Sequence, residues 1–245
     1  MLAVTARIPL FPLNSVLFPG LVLPLNVFEE RYRALVRDLI ALPEEAPRRF
    51  GVVAIRDGHG LEATTKGISE GEGAAAGFGA DPAKAFFEVG CFAEAATIGE
   101  HEDGSFELVS TGTTRFRLLS VDPSGPYLIG ETEDLPEEPG EGSGALAAGV
   151  ARAFRTYQKR VAGARERTLT SGSGQDLPDE PSVLSYLVAA ATVLETPVKQ
   201  ALLEAPDTAT RLREELRLLR REAAVIGKLR TLPAVELTRQ APSPN

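Results

Sequence analysis

Prolines at positions 9, 12, 19 and 24 exclude a helix from Ile8–Leu25, because each removes a backbone donor and biases the residue before it to an extended conformation. The stretch is therefore short strands and turns. Prolines also keep a strand out of the middle of a fully paired sheet, so Ile8–Leu10 and Leu21–Leu25 are expected at edges, strand starts or bulges, with Phe18-Pro19-Gly20 as the turn between them. Asn26 reads as a helix N-cap with Glu29 at the third helical position, a capping-box-like arrangement. In the helix that follows, Phe28, Tyr32, Leu35, Val36 and Leu39 share one face, while Glu30, Arg33 and Arg37 point away. Arg31 stands on the border of that stripe, where an arginine lays its stem on the core and offers its guanidinium to a carboxylate or to strand-end carbonyls.

Downstream, Phe50–Ile55 reads as a buried strand, and Asp57-Gly58 as a turn. Residues 62–85 are Gly, Ala, Ser and Glu with almost no large apolar side chain, which predicts a flexible loop. Val89–Ile98, Ser105–Val109, Thr114–Val121 and Tyr127–Thr132 are strands separated by turns at Glu102-Asp103-Gly104, Ser110-Thr111-Gly112 and Asp122–Pro126. Together they imply an antiparallel meander curling into a small pseudo-barrel. The character then changes: Glu131–Gly144 carries six carboxylates and no basic residue. Beyond it, Leu146, Val150, Phe154, Tyr157 and Val161 mark one face of a long helix, Val183–Leu194 is apolar nearly all round, and Thr196-Pro197 opens a short helix. Asp207 caps a last helix with Leu212, Leu216, Leu219, Ala223 and Ile226 inward. The expected organisation is α+β: a β-rich unit over residues 1–135 with one embedded helix, an acidic linker at 136–143, a helical bundle over 144–232, and a disordered tail at 233–245.

The run PLFPLNSVLFPGLVLPLNVFEERYRALV resembles the signature of the amino-terminal, substrate-binding domain of Lon proteases, a domain also found alone in small bacterial proteins and within cereblon. Gly51-Val52-Val53, Val89–Ala93, Gly112-x-x-Arg115-Phe116-Arg117 with Pro126-Tyr127-Leu128, and Lys199–Glu204 follow in the same order. The resemblance covers most of residues 7–232 and implies a PUA-like pseudo-barrel. It marks Phe28, Glu29, Arg31, Tyr32, Gly112, Arg115 and Phe116 as motif residues with structural roles. Full Lon proteases join this domain to an ATPase module and a serine-lysine protease domain, and nothing in this sequence resembles either.

The formal charge of −8 argues against phosphate-backbone binding, which needs an excess of Lys and Arg. The single cysteine, Cys91, reads as a small buried hydrophobe in a reducing, cytoplasmic setting. No apolar stretch is long enough for a membrane span and no leader pattern opens the sequence. Gly67-Ile68-Ser69-Glu70-Gly71 fits the pattern of hydrolase nucleophile elbows, but neither flank is a strand or a helix, and His59 and His101 both sit beside turn glycines. One Cys and two distant His residues form no familiar metal set, and no Gly-x-x-x-x-Gly-Lys-Ser/Thr occurs. No cofactor or metal is expected. The cluster of Glu29, Arg31, Tyr32 and Arg33 reads as helix pairing plus a strut between helix and sheet. The reading is thus a non-catalytic protein-binding module for unfolded clients, with a protease or chaperone as partner. The alternative is a hydrolase using Ser69, or a subunit of an ATP-dependent protease whose catalysis a partner supplies. Phe11, Leu17 and Phe18 are the candidate client-binding rim, the competing role for them being closure of the barrel end or packing on the helical half.

Overall fold

A computed structural model describes residues 5–56, 73–165 and 176–230. These hold strands β1 (Thr5–Leu13), β2 (Val22–Val27), β3 (Arg49–Ala54), β4 (Val89–Glu100), β5 (Phe106–Asp122) and β6 (Ile129–Leu135). Helices are α1 (Glu30–Ala41), α2 (Ser143–Arg165), α3 (Pro181–Ala191), α4 (Thr196–Leu203) and α5 (Thr208–Arg230). The Asp57-Gly58 turn, the Ser69 motif, His59 and the tail from 233 lie outside the described residues.

The strands form one mixed sheet in the order β2-β5-β4-β3-β1-β6, and an added β5–β6 pairing closes β5, β4, β3, β1 and β6 into a ring. β4, β5 and β6 form the expected antiparallel meander, but the expectation of an antiparallel pseudo-barrel is corrected: β1 and β3 run parallel, Leu10 opposite Gly51 and Leu13 opposite Ala54. The intervening β2 and α1 supply the crossover that a parallel pair needs. β1 also shows how a strand carrying Pro9 and Pro12 enters a barrel. Thr5–Pro9 pair with β6 and Leu10–Leu13 with β3, so each half has a ladder on one side and the partner changes at a proline. The Ile55 N–H donates to the Leu13 carbonyl at 2.8 Å, and with the alternation of a ladder this turns the donorless nitrogen of Pro12 away from β3.

Three further expectations change. Ser110-Thr111-Gly112 is no turn: β5 runs through it unbroken, and the bending falls instead on register shifts in β4 between Cys91 and Ala93 and between Ala95 and Thr97. Asn26 is a strand residue opposite Glu107; α1 starts four residues later, with Glu29 in the cap position and no side-chain cap bond. Residues 73–85, expected within a flexible loop, bury Ala74, Phe78 and Ala85. Phe78 packs edge-on against Phe86, ring centroids 4.8 Å apart. One large apolar residue, too sparse to register in composition, is enough to seat the segment on the barrel.

Two apolar clusters fill the barrel and the space under α1, and a third lies among α2, α3 and α5. A fourth joins the barrel to the helices through Phe18, Val89, Tyr186, Leu202, Leu203 and Leu218. The polar counterpart of that joint is Arg115. From β5 its Nη1 donates to the carbonyls of Leu203 (2.8 Å) and Ala205 (2.7 Å), and its Nη2 donates to that of Pro136 (3.2 Å). Leu203 is the last residue of α4 and Ala205 lies just beyond its cap, where a helix leaves its last carbonyls without donors and carries partial negative charge. Arg115 also pairs with Glu137 at 3.1 Å. Glu137 further accepts from Arg211, Tyr186 and Thr208, and Arg211 stacks 3.9 Å from the Tyr186 ring centre. Arg211 Nε donates to Ser185 Oγ at 2.8 Å and the Ser185 hydroxyl donates to Glu215 at 2.7 Å, so one polar chain runs from β5 into α5.

Burial alone would push the Glu137 carboxyl up. The charge of Arg211, the Thr208 and Tyr186 hydroxyls and the charge of Arg115 outweigh it and hold the group below its ordinary value. For Glu215 burial wins over the Ser185 bond and the Arg211 charge, and its carboxyl is pushed up to about 8. Between pH 4.5, the ordinary value, and about 8, the folded chain keeps a proton on Glu215 that the unfolded chain has released. That contribution to stability is full below the lower value and is lost as pH rises through the upper one. Melting temperatures of the wild type and Glu215→Gln, measured from pH 5 to 8.5, should therefore diverge. The wild type loses stability across the range relative to the variant, and parallel curves would contradict the assignment.

Candidate functional site

The best-defined polar constellation on the β side is built at the start of α1. Tyr32, Leu35, Val36 and Leu39 are the buried face of this helix, and the Tyr32 ring stacks on Phe11 with centroids 4.3 Å apart. Arg31, with its side chain only 9% exposed, lies beside Tyr32 and Phe78, its guanidinium carbon 4.7 and 5.1 Å from the two ring centres. Its Nε donates to Glu29 at 3.0 Å and its Nη1 to the Ala76 carbonyl at 2.8 Å. Arg31 is thus the expected strut, but it reaches the 74–76 segment rather than strand ends. Glu29 gives its carboxylate to Arg31, which is why it caps nothing. Arg33 pairs with Glu30 at 3.3 Å, not with Glu29.

Phe11, Leu17 and Phe18 do not form a rim. They are 5%, 6% and 1% exposed. Phe11 lies under α1, Leu17 joins the same cluster, and Phe18 faces Tyr186 of α3 with ring centroids 6.1 Å apart. Of the competing roles, packing on the helical half describes Phe18, while Phe11 and Leu17 belong to the core cluster with α1. Gly112 explains the geometry: a Cβ there would stand 2.5 Å from the Phe18 carbonyl oxygen and 3.2 Å from Cys91 Sγ. The Phe18-Pro19-Gly20 turn is laid directly on β5, with the Gly20 N–H donating to the Gly112 carbonyl at 2.8 Å. Phe116, fully buried, packs on Phe92 with centroids 4.5 Å apart. Burial pushes the Cys91 thiol up to about 12, so it is an unreactive core group.

What the sequence misses lies next door. Phe28, expected on the buried face of the helix, is 72% exposed, and Val22 at the other end of β2 is 63% exposed. Phe28 precedes the helix and so does not share its phase. Among the described residues β2 ends the sheet order, with β5 as its one strand partner. Along it Val22, Pro24 and Asn26 face out while Leu23 and Leu25 are half-buried, a period-two alternation legible in the sequence once Asn26 is taken as strand. An open strand edge flanked by exposed Val and Phe can add an extended polypeptide by backbone pairing. Among the described residues no group of three or more His, Cys, Asp or Glu side chains converges on a common point.

The Arg31 bonds to a carboxylate and a carbonyl inside a mostly buried site predict that Arg31→Ala costs about 1.5–3 kcal/mol. Arg33→Ala, losing a pair with an exposed carboxylate, costs about 0.5 kcal/mol or less. Urea unfolding of both variants checks this, equal losses contradicting the strut.

The family model described as the ATP-dependent protease La (LON) substrate-binding domain matches residues 7–221. Similar curated proteins are Lon protease 2 of Syntrophobacter fumaroxidans, 27% identical over 82% of this chain, and Lon protease 2 of Sorangium cellulosum, 29% identical over 89%. The match covers 23% and 25% of those proteins, so the chain spans about a quarter of the length of the curated relatives it matches. Among solved structures, a Lon N-terminal domain protein from Xanthomonas campestris aligns with a TM-score of 0.54 at 23% identity, covering 86% of this chain and 98% of that one. The N-terminal domain of the Mycobacterium avium complex Lon protease aligns with a TM-score of 0.57 at 18% identity, covering 89% and 98%. The chain belongs to the LON substrate-binding domain family, and it has the mixed α+β Lon N-terminal domain fold.

Proposed function

We propose that this chain is a non-catalytic polypeptide-binding module, a PUA-like pseudo-barrel braced by a helical bundle, that holds unfolded segments of client proteins for a protease or chaperone partner in the cytoplasm. The family match over residues 7–221, to a domain described as substrate-binding, carries the reading. The open edge of β2 gives it a location. Backbone pairing along Val22–Val27 supplies affinity without demanding a sequence, which suits a binder of many unfolded segments. Pro24 withholds one donor from that edge, so an added strand pairs to either side of it and the edge is kept from zipping indefinitely to other edges. Phe28, already exposed in water, provides the aromatic contact that anchors such interfaces.

Phe28→Asp should weaken capture of a permanently unfolded, carboxymethylated protein about tenfold or more, the size of a binding hot spot near 1.4–2 kcal/mol. Its melting temperature should match the wild type, because the ring makes no core contact. Unchanged capture would remove the β2 edge as the contact surface.

A further inference from the structure

At the opposite end of β5 from Phe28, a groove of ≈ 630 Å³ lies between the end of β3, the 83–88 segment and residues 117–119. Phe28 follows Val27, whose register partner is Phe106, so the two places are separated by about 40 Å of strand contour at roughly 3.3 Å per residue. The groove has an apolar floor, Phe86 and Leu118, both buried. Its rim carries Arg56, Lys84 and Arg117 against one lining carboxylate, Glu88. That balance runs against its surroundings: residues 1–142 hold 23 Asp and Glu and 11 Lys and Arg.

Two details show how the rim is built. Arg56 donates Nε to the Phe86 carbonyl at 2.8 Å and packs over the Phe87 ring at 4.7 Å. This fixes the guanidinium while leaving its two Nη groups without a partner among the described residues. Leu119 is skipped by the β5–β6 register, which passes from Leu118 opposite Thr132 to Ser120 opposite Glu131. Arg117 and Leu119 both face out from β5, flanking the buried Leu118, and Leu119 is 47% exposed. The remaining cations are loosely engaged: Lys84 pairs with Asp81 at 3.2 Å, an exposed pair, and Arg117 with Glu133 at 3.9 Å.

We infer that this groove binds extended client segments in which acidic side chains flank an apolar one, the apolar group resting on Leu118 and Leu119 and the carboxylates on Arg56 and Arg117. The inference rests on the polypeptide-binding reading and names the class of segment selected. Arginines suit the task because a guanidinium meets a carboxylate with paired donors, and Coulomb attraction on an open rim confers preference and association rate more than raw affinity.

A labelled peptide of Glu-Leu-Gly repeats and its Lys-Leu-Gly counterpart, followed by fluorescence anisotropy with the full chain, test this. The acidic peptide should bind about tenfold or more tightly than the basic one, and the gap should shrink in high salt. The doubly substituted Arg56→Glu, Arg117→Glu chain should reverse the preference while still unfolding cooperatively, at a melting temperature lowered by loss of the Arg56–Phe86 bond, and Leu119→Ser should weaken both peptides with an unchanged melting temperature. Equal binding of the two peptides, or variants that bind as the wild type does, would overturn the groove. Acidic binding that emerges only when residues 57–72 are replaced by a short Gly-Ser linker would also overturn it, making the chain's own segment the occupant. Capture of carboxymethylated protein by the same preparation separates the two readings. If capture persists while the acidic peptide fails, the groove alone falls; if both fail, the polypeptide-binding reading falls with it.

Discussion

Arg115 meeting the C-terminal end of α4 is the contact on which the rest of the structure depends. A helix end leaves carbonyls with no donor of their own, and a charged arginine buried on the outside of a barrel strand needs acceptors. Each supplies what the other lacks. Around that meeting the chain places Glu137, and Glu137 in turn neutralises Arg211, the largest fully buried side chain. The apolar contacts of Phe18, Val89 and Tyr186 surround the polar set and keep water from competing for its hydrogen bonds.

That joint determines which residues are left for function. Phe11, Leu17 and Phe18 look like a surplus of apolar side chains when the proline-rich segment is considered by itself. Once the helical half sits on the Phe18 turn and α1 on Phe11, they are core. On the sheet side, exposed apolar groups stand instead at Phe28 by one end of β5, at Val22 opposite Thr111 on the edge strand, and at Leu119 toward the other end. These places are irregularities of the sheet, an edge strand and a register shift, where a strand's side chains and backbone are not already committed to a neighbour.

The sequence made the elements legible where period and punctuation agree. β3 read as a continuous apolar run, α5 with its Asp207 cap, where Asp207 accepts from the Thr210 N–H at 2.7 Å, and the buried face of α1 were all readable from local pattern. It was less legible where one residue type serves two purposes. Asn26 and Ser110-Thr111-Gly112 carry turn and cap chemistry but lie in strands, because close approach of the Phe18 turn demands glycine at 112. The parallel pairing of β1 with β3 and the change of partner at Pro9 depend on long-range topology that no window of sequence reports. Among the site residues, the position of Arg31 beside the apolar stripe is readable from the helical period, but the partners that make Arg115 a joint, Leu203 and Ala205, lie far along the chain.

Hydrogen exchange followed by mass spectrometry, comparing the wild type with Arg115→Ala, addresses the joint most directly. In the wild type, β4, β5, α3, α4 and α5 should open with one shared free energy, since the halves are coupled through a buried polar set. In the variant, α4 and the start of α5 should exchange early while β4 and β5 stay protected, with a loss of about 3–5 kcal/mol for the helical side, the cost of leaving buried partners unpaired. Helices that already exchange independently of the strands in the wild type, or a variant whose protection pattern matches it, would contradict the account.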